Sequence, residues 1–319
     1  MVAIRHQIHA NPELAYEEHA TSDLVAERLA RWGWEVHRGL GGTGVVGTLR
    51  AGIVHAVFQP AEEGLAGARK MLEDGFLELF PCDAMFGMHN APGVPEGQFM
   101  AVPGFAMASG DTCIITVKGT GGHGAMPQHA VDPVVAASAI VMALQTIVSR
   151  SVPPLQTAII SVGAFLAGDA PNVIPGTAEL RLTVRAMRPE IRDLLEKRIA
   201  EIAHAQAATF GATADVNYIR RYPVLHNWPK PTEFCKQLVR DWLGEDGLVP
   251  NPEPVTASED FFSFFLEKVP GCFINIGNGT GSQGGCMVHN AGYDFNDRVL
   301  STGATYWVKL TERWLAPQG

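Results

Sequence analysis

Apolar positions recur at helical spacing over residues 13–32, where Leu24, Val25, Leu29 and Trp32 punctuate a polar run and Gly33 follows as a stop. The pattern then shortens. Residues 34–50 hold two apolar runs between glycines, which predicts two strands joined by a loop, and 53–59 predicts a strand ending at Pro60. Residues 64–80 read as a helix or a helix pair, and 83–88 as another short strand. Strand and helix alternate, which argues for an α/β layer.

From Asp111 the rhythm changes. Residues 111–119 predict a strand, and 132–150 a helix with Asp132 as N-cap and Pro133 at its first position. Two strands (156–168 and 177–187), an amphipathic helix closed by Gly211, and a strand over 213–224 complete a β-α-β-β-α-β order, that of a split βαβ or ferredoxin-like unit. Beyond it, helices are expected over 232–247, over 258–269 with Ser258 as a plausible N-cap, and over about 298–315, with a strand over 271–279. The expected architecture is α/β, with residues 1–107 and 223–319 forming one discontinuous domain and 108–222 an inserted ferredoxin-like (βαββαβ) domain.

Composition narrows the function classes. With 319 residues, 46% hydrophobic and 18% charged, the chain can bury a large core. Its 24 basic and 33 acidic residues give a net charge of −9 with no basic run, which argues against nucleic acid as a partner. Five cysteines without a CxxC pair disfavour a disulfide framework or a Cys-based zinc knuckle. The apolar stretch from Val134 to Val148 falls short of the ~20 residues that span a bilayer, and no secretory h-region is visible, so a cytoplasmic protein without a membrane partner is expected.

Several strand ends carry candidate chemistry. Glu62 and Glu63 follow the 53–59 strand, and in an α/β sheet ligands gather at the carboxyl ends of strands. Neighbouring carboxylates can divide the work, one binding a metal while the other moves a proton; equally, they are acids favoured in a first helical turn. His89 and His289, each before an Asn, are ligand types at the end of an apolar run and in a glycine-rich loop, with polar filling as the alternative. Glu259 and Asp260 read either as first-turn acids or as acids that orient a metal-binding imidazole. His123, in a glycine-rich loop, could donate to a developing oxyanion or be a surface histidine. Two GxGxxG runs, from Gly42 and from Gly119, lack a helix beginning beside their glycines, which speaks against a nucleotide site, and no GxSxG is present.

The ordered set PAEEG, GMHN, GGHGAMPQHAVDP, PNVIP, ASEDF and VHNAGYDFND resembles the metal-dependent amidohydrolases that include hippurate hydrolases and indole-acetyl-amino-acid hydrolases, relatives of aminoacylase. The resemblance runs from about His6 to Trp314. It implies Glu62 as general base, Glu63, His89 and His289 as metal ligands, and His123 as the lid histidine that polarises the scissile carbonyl, usually that of the neighbouring subunit. It also implies Asn172 and Arg185 as grips for the substrate carboxylate, and zinc, manganese, nickel or cobalt as cofactor. The expected substrate is an N-acyl or N-aroyl amino acid, and the expected assembly a homodimer through the inserted domain.

One departure stands out. Family members carry a HACGHDGH-like segment, with a Cys and a His that bind metal, between the counterparts of the VVGTLR and IVHAVFQ strands. Here Leu49-Arg50-Ala51-Gly52 runs directly into Ile53, and no CGHD occurs in the chain. The missing block would hold a strand and a helix, and neither His55 nor Cys82 is well placed to substitute. A non-catalytic relative serving as a dimeric binding or scaffold protein is therefore the alternative to a working hydrolase.

Overall fold

A computed structural model describes residues 1–50, 52–63, 65–259, 261–282 and 284–316 in two units, Met1–Ala106 with His226–Pro254 and Asp260–Gly319, and Met107–Leu225 with Val255–Glu259. Along the chain come α1 (Val2–Ala10), α2 (His19–Arg31), β1 (Glu35–Leu40), β2 (Gly44–Leu49), β3 (Val54–Phe58), α3 (Gly67–Glu73), α4 (Phe76–Leu79), β4 (Met85–Pro92), β5 (Phe99–Met100) and β6 (Gly104–Met107). Next are β7 (Gly110–Lys118), β8 (Gly122–His123), α5 (Pro133–Thr146), β9 (Ala158–Leu166), β10 (Val173–Ile174), β11 (Thr177–Ala186), α6 (Pro189–Thr209) and β12 (Thr213–Tyr222). Then follow β13 (Leu225–Asn227), α7 (Pro229–Leu243), α8 (Phe261–Leu266), β14 (Gly271–Gly279) and α9 (Leu300–Leu315).

The second unit has the expected βαββαβ order, with an antiparallel sheet arranged β12-β7-β11-β9. Strict alternation along β11 sends Leu180, Leu182 and Val184 into the core and leaves Glu179, Arg181 and Arg185 on the other face. Helices α5 and α6 cover the apolar face, and Ile115, Ile140, Leu144, Leu180, Leu195 and Ile199 are fully buried there. Asp132 caps α5 by accepting from the amides of Val134 (2.8 Å) and Val135 (3.4 Å), and Pro133 takes the first helical position. The stretch Pro133–Ser151 is long and apolar enough to cross a membrane by length and composition alone. Its Ala136, Ala137, Ile140, Leu144 and Ile147 are instead committed to the core of this unit.

One ion pair lies inside that core. Asp111 points into the helix-facing row of β7 and accepts two hydrogen bonds from Arg192 of α6 (2.6 and 2.8 Å), one from the Tyr218 hydroxyl (2.8 Å) and one from the Arg221 amide (3.0 Å). Burial and the adjacent carboxylate together push the Tyr218 hydroxyl well above the usual phenol range.

The first unit carries two three-stranded sheets, antiparallel β1-β2-β3 and mixed β4-β14-β5, in which β4 and β14 run parallel. Strand β14 is buried along nearly its whole length, and Cys272, Ile274 and Ile276 meet Val239 and Tyr306 in the core. Among the described residues β3 pairs with β2 alone and β4 with β14 alone, so each keeps one free edge. Leu49 stands opposite Val54, so four residues connect β2 to β3, and both Gly52 (φ 95°) and Ile53 (φ 47°) are left-handed there. A β-branched residue rarely occupies that region.

Four local expectations change. The helix expected from residue 13 starts at His19, because Ala15 and Tyr16 turn left-handed and the Glu13 carboxylate accepts from the Ala20 and Thr21 amides at the helix start. The helix expected to open on Glu62 starts at Gly67. Ser258 lies three residues ahead of Phe261, where α8 begins, so it is not the residue that caps it. An unforeseen helix, α1, buries no residue and is tied down by Arg5 to Asp294 and Asp297, and by His6 to Asp297.

Candidate active site

The Glu62–Glu63 pair sits in a turn after β3, several residues ahead of α3. The helix dipole therefore does not account for these two acids, since its influence fades beyond the first turn. Ala61 (φ 48°) and Ala66 (φ 56°) flank the pair in left-handed conformations, of the kind that persists only when the surroundings enforce it. The enforcement is visible. Pro60 packs so closely on the Gly67 backbone that a Cβ there would lie 1.7 Å from the Pro60 carbonyl oxygen, so only glycine fits. Glu18 accepts from the Ala61 amide (2.9 Å) and from the Thr43 hydroxyl (2.7 Å), and the Tyr16 hydroxyl donates to the Leu65 carbonyl (3.0 Å).

His89 projects from β4, whose parallel pairing sets it opposite Asn275. Its Nδ1 lies 2.6 Å from the Asn90 carbonyl oxygen, which can only accept, so Nδ1 carries the proton and Nε2 keeps its lone pair for a ligand. His289 lies in the loop after β14 and is itself left-handed (φ 60°). That loop is shaped by buried Asn278, whose amide donates to the Gly284 (3.0 Å) and Asp294 (3.3 Å) carbonyls and whose oxygen accepts from the Asn296 amide (2.9 Å). Asn90 donates to the Tyr293 hydroxyl (2.5 Å), which joins the His89 strand to the His289 loop. None of Glu18, Tyr16, Asn278, Asn296 or Tyr293 was singled out from sequence; the signals present were an Asn amid glycines over 277–285 and the place of Tyr293 and Asn296 within VHNAGYDFND.

The electrostatics bind the four candidates into one neighbourhood. Glu62 is held above the ordinary carboxyl range, first by burial and then by repulsion from Glu63, while His89 and His289 pull it back down. Its side chain is nonetheless exposed to solvent, as are those of Glu63, His89 and His289, so the four form an open, water-accessible site. A raised carboxyl holds its proton longer in the folded chain than in the unfolded one. Stability of the metal-free protein therefore falls as pH rises from the ordinary Glu value, about 4.3, through the raised one, and the penalty is complete above it. Metal-free Glu62→Gln should melt higher than the unsubstituted protein near pH ~7.5, with the two converging below pH ~4. Thermal melts at both pH values check this, and equal melting at pH ~7.5 contradicts it.

The donor set has the chemistry a divalent cation requires: one carboxylate, Glu63, and two imidazoles, His89 and His289. Among the described residues, however, no three His, Cys, Asp or Glu side chains gather into a ready-made cage. The elements bring these groups into one site without closing them on a single point. His55 bonds to Thr48 (2.9 Å) and packs on Phe80, so it is engaged elsewhere, and Cys82 is a half-buried free cysteine.

The remaining candidates belong to the second unit. His123 on β8 pairs opposite Val173, and its Nδ1 accepts from the Ala125 amide (3.0 Å), which leaves Nε2–H as an exposed donor. Asn172 lies beside it, its carbonyl accepting from the Gly124 amide at 2.8 Å. Arg185 stands near the opposite end of β11 from Thr177, about 26 Å of strand away, so His123 and Asn172 come together and Arg185 does not join them. Glu259 is buried in the 255–259 segment, whose Ser258 lies against Gly110 beside Arg185. Asp260 lies outside the described residues.

Comparison with known proteins supplies the context. The sequence matches the profile of peptidase family M20/M25/M40 over residues 46–313. It is 36% identical to a hippurate hydrolase of Campylobacter jejuni, with 98% of this chain and 96% of that protein covered. It is 33% identical to an IAA-amino acid hydrolase of Arabidopsis thaliana, with 99% and 85% covered. The fold superposes on a dinuclear metal-binding peptidase of the M20 family from Bacillus subtilis with a TM-score of 0.81 at 25% identity, covering 98% of this chain and 97% of that one. The hippurate hydrolase alignment runs over 371 positions against the 319 residues of this chain, so at least 371 − 319 = 52 positions of the relative have no counterpart here.

Proposed function

This chain belongs to peptidase family M20/M25/M40, whose members are hydrolases, and we propose that it cleaves the amide bond of N-acyl or N-aroyl amino acids with the help of a divalent metal. The observation that carries this reading is a pair of adjacent carboxylates, Glu62 and Glu63, in a turn flanked by left-handed Ala61 and Ala66, within electrostatic reach of two imidazoles, His89 and His289. Glu63, His89 and His289 would hold the metal, with zinc, manganese, nickel or cobalt all compatible with such donors. A divalent cation, when bound, supplies Lewis acidity that polarises the amide carbonyl and eases deprotonation of a water. Glu62 takes the proton of the attacking water and returns it to the leaving amine, the two transfers of a general base that then serves as general acid.

His123 keeps Nε2–H free to donate to the carbonyl oxygen as negative charge develops there, a role the family assigns to the histidine of a neighbouring subunit. Asn172, which lies beside His123, holds the substrate carboxylate; Arg185, about 26 Å of strand away in the same chain, does not share that grip. Glu259 and Asp260 orient the metal-binding imidazoles. The working form is a homodimer through residues 108–222, placed in the cytoplasm. Hydrolysis of hippurate and of N-acetyl amino acids, followed before and after chelation, tests the reading. Chelation is expected to abolish turnover, and zinc, manganese, cobalt or nickel to restore it. Turnover indifferent to chelation, or none with any of the four metals, overturns it.

A further inference from the structure

We infer that Glu18 and Tyr16 are positioning residues that clamp the two ends of the turn carrying Glu62 and Glu63; this rests on the function proposed above. The Glu18 carboxylate accepts from the Ala61 amide, immediately before Glu62, at 2.9 Å, and its other oxygen accepts from buried Thr43 at 2.7 Å. The Tyr16 hydroxyl donates to the Leu65 carbonyl, two residues beyond Glu63, at 3.0 Å. Both clamps come from the short segment that the left-handed Ala15 and Tyr16 (φ 61° and 72°) turn toward α2, and the Tyr16 amide itself donates to Glu18 at 3.3 Å. Burial would raise the Glu18 carboxyl, but the hydrogen bonds from Thr43, Ala61 and Tyr16 outweigh it and keep the group ionised. A charged acceptor makes a stronger bond than a neutral one, which suits a clamp on a strained backbone.

The held segment has reason to move if released. Ala61 and Ala66 are left-handed without being glycine, and relaxation of either would swing the Glu62–Glu63 carboxylates away from His89 and His289. Pro60 is seated against Gly41 and Gly67, so the turn is fixed at its base and held at its shoulders by Glu18 and Tyr16. Neither residue is placed to meet substrate or metal in the reading above. Their effect would pass through the turn alone.

Tyr16→Phe, Glu18→Ala and Glu18→Gln test this in the metal-loaded enzyme. Tyr16→Phe and Glu18→Ala are expected to lower kcat about 10- to 100-fold with KM within about twofold, since misplacement by ~1 Å can cost ~100-fold. Glu18→Gln retains an oxygen for the Ala61 amide and a donor for Thr43, so it should recover most of the rate. Manganese or zinc affinity, read by calorimetry with the metal alone, should weaken about 10-fold in Glu18→Ala, as for other residues that support metal ligands. Hydrogen exchange at the Ala61 amide should accelerate in the same variant and stay slow in Glu18→Gln. Unchanged kcat and metal affinity in Tyr16→Phe, or unchanged Ala61 exchange in a folded Glu18→Ala, overturns the inference. If the unsubstituted protein neither turns over nor binds metal, the functional reading falls, and Ala61 exchange decides the clamp by itself.

Discussion

Glu62→Gln is expected to lower kcat by about 10²- to 10⁴-fold while KM and metal affinity stay near those of the unsubstituted enzyme. Gln preserves the volume and hydrogen-bonding reach of the side chain but can neither take a proton from water nor deliver one to an amine. The turn is held by Glu18, Tyr16 and Gly67 through main-chain atoms of its flanks, so the substitution leaves the site intact. Glu63→Gln should behave differently: it removes a metal-binding carboxylate, so its lost rate should return in part at high metal concentration. Steady-state kinetics across a metal titration separate the two. A loss below about 10-fold in Glu62→Gln would remove Glu62 from proton transfer.

Asp111→Ala should destabilise the second unit by about 3–5 kcal/mol, the range found when one partner of a buried ion pair is removed. The substitution strands the Arg192 guanidinium, the Tyr218 hydroxyl and the Arg221 amide, all of which donate to this carboxylate. Arg220 offers the contrast: its bridges to Asp193 and Glu196 are exposed, and such pairs contribute at most about 1 kcal/mol. Asp193→Ala should therefore be nearly neutral. Urea unfolding of both variants checks the difference, and similar midpoints would mean that the buried network adds little.

Much of the second unit could be read from the sequence because its signals are local. Alternation along β11, the Asp132–Pro133 start of α5 and the Gly211 stop after α6 each need only a few consecutive residues. In the first unit Glu62, Glu63 and His89 stand out in the sequence because each follows or ends an apolar run, and His289 because it lies in a glycine-rich loop. What escaped was long-range or depended on backbone conformation. Helix α1 has no apolar stripe to announce it, and its anchors on Asp294 and Asp297 lie nearly the whole chain away. The helix expected from residue 13 overlooked a left-handed Tyr16, which no propensity forecasts, and the acids at 62–63 were assigned to a helix that begins at Gly67. Asn278 looks like a polar residue at the end of a strand, and Asn296 like an ordinary loop residue, until the two bond to each other.

The short connection between β2 and β3 also bears on how this protein coexists with copies of itself. A relative of similar sequence has at least 52 positions that this chain lacks, and the four residues between Leu49 and Val54 carry a left-handed Ile53. Beside that turn the outer border of β3, Val54-His55-Ala56-Val57-Phe58, has no proline and no Lys, Arg, Asp or Glu, and among the described residues no strand pairs with it. Such a border accepts any extended polypeptide in register, including the same five residues of a second molecule. Its hazard grows with concentration, whereas the chemistry of the site does not. Charge on that border is the natural remedy, and a lysine in place of Ala56 is expected to reduce concentration-dependent association of the chain.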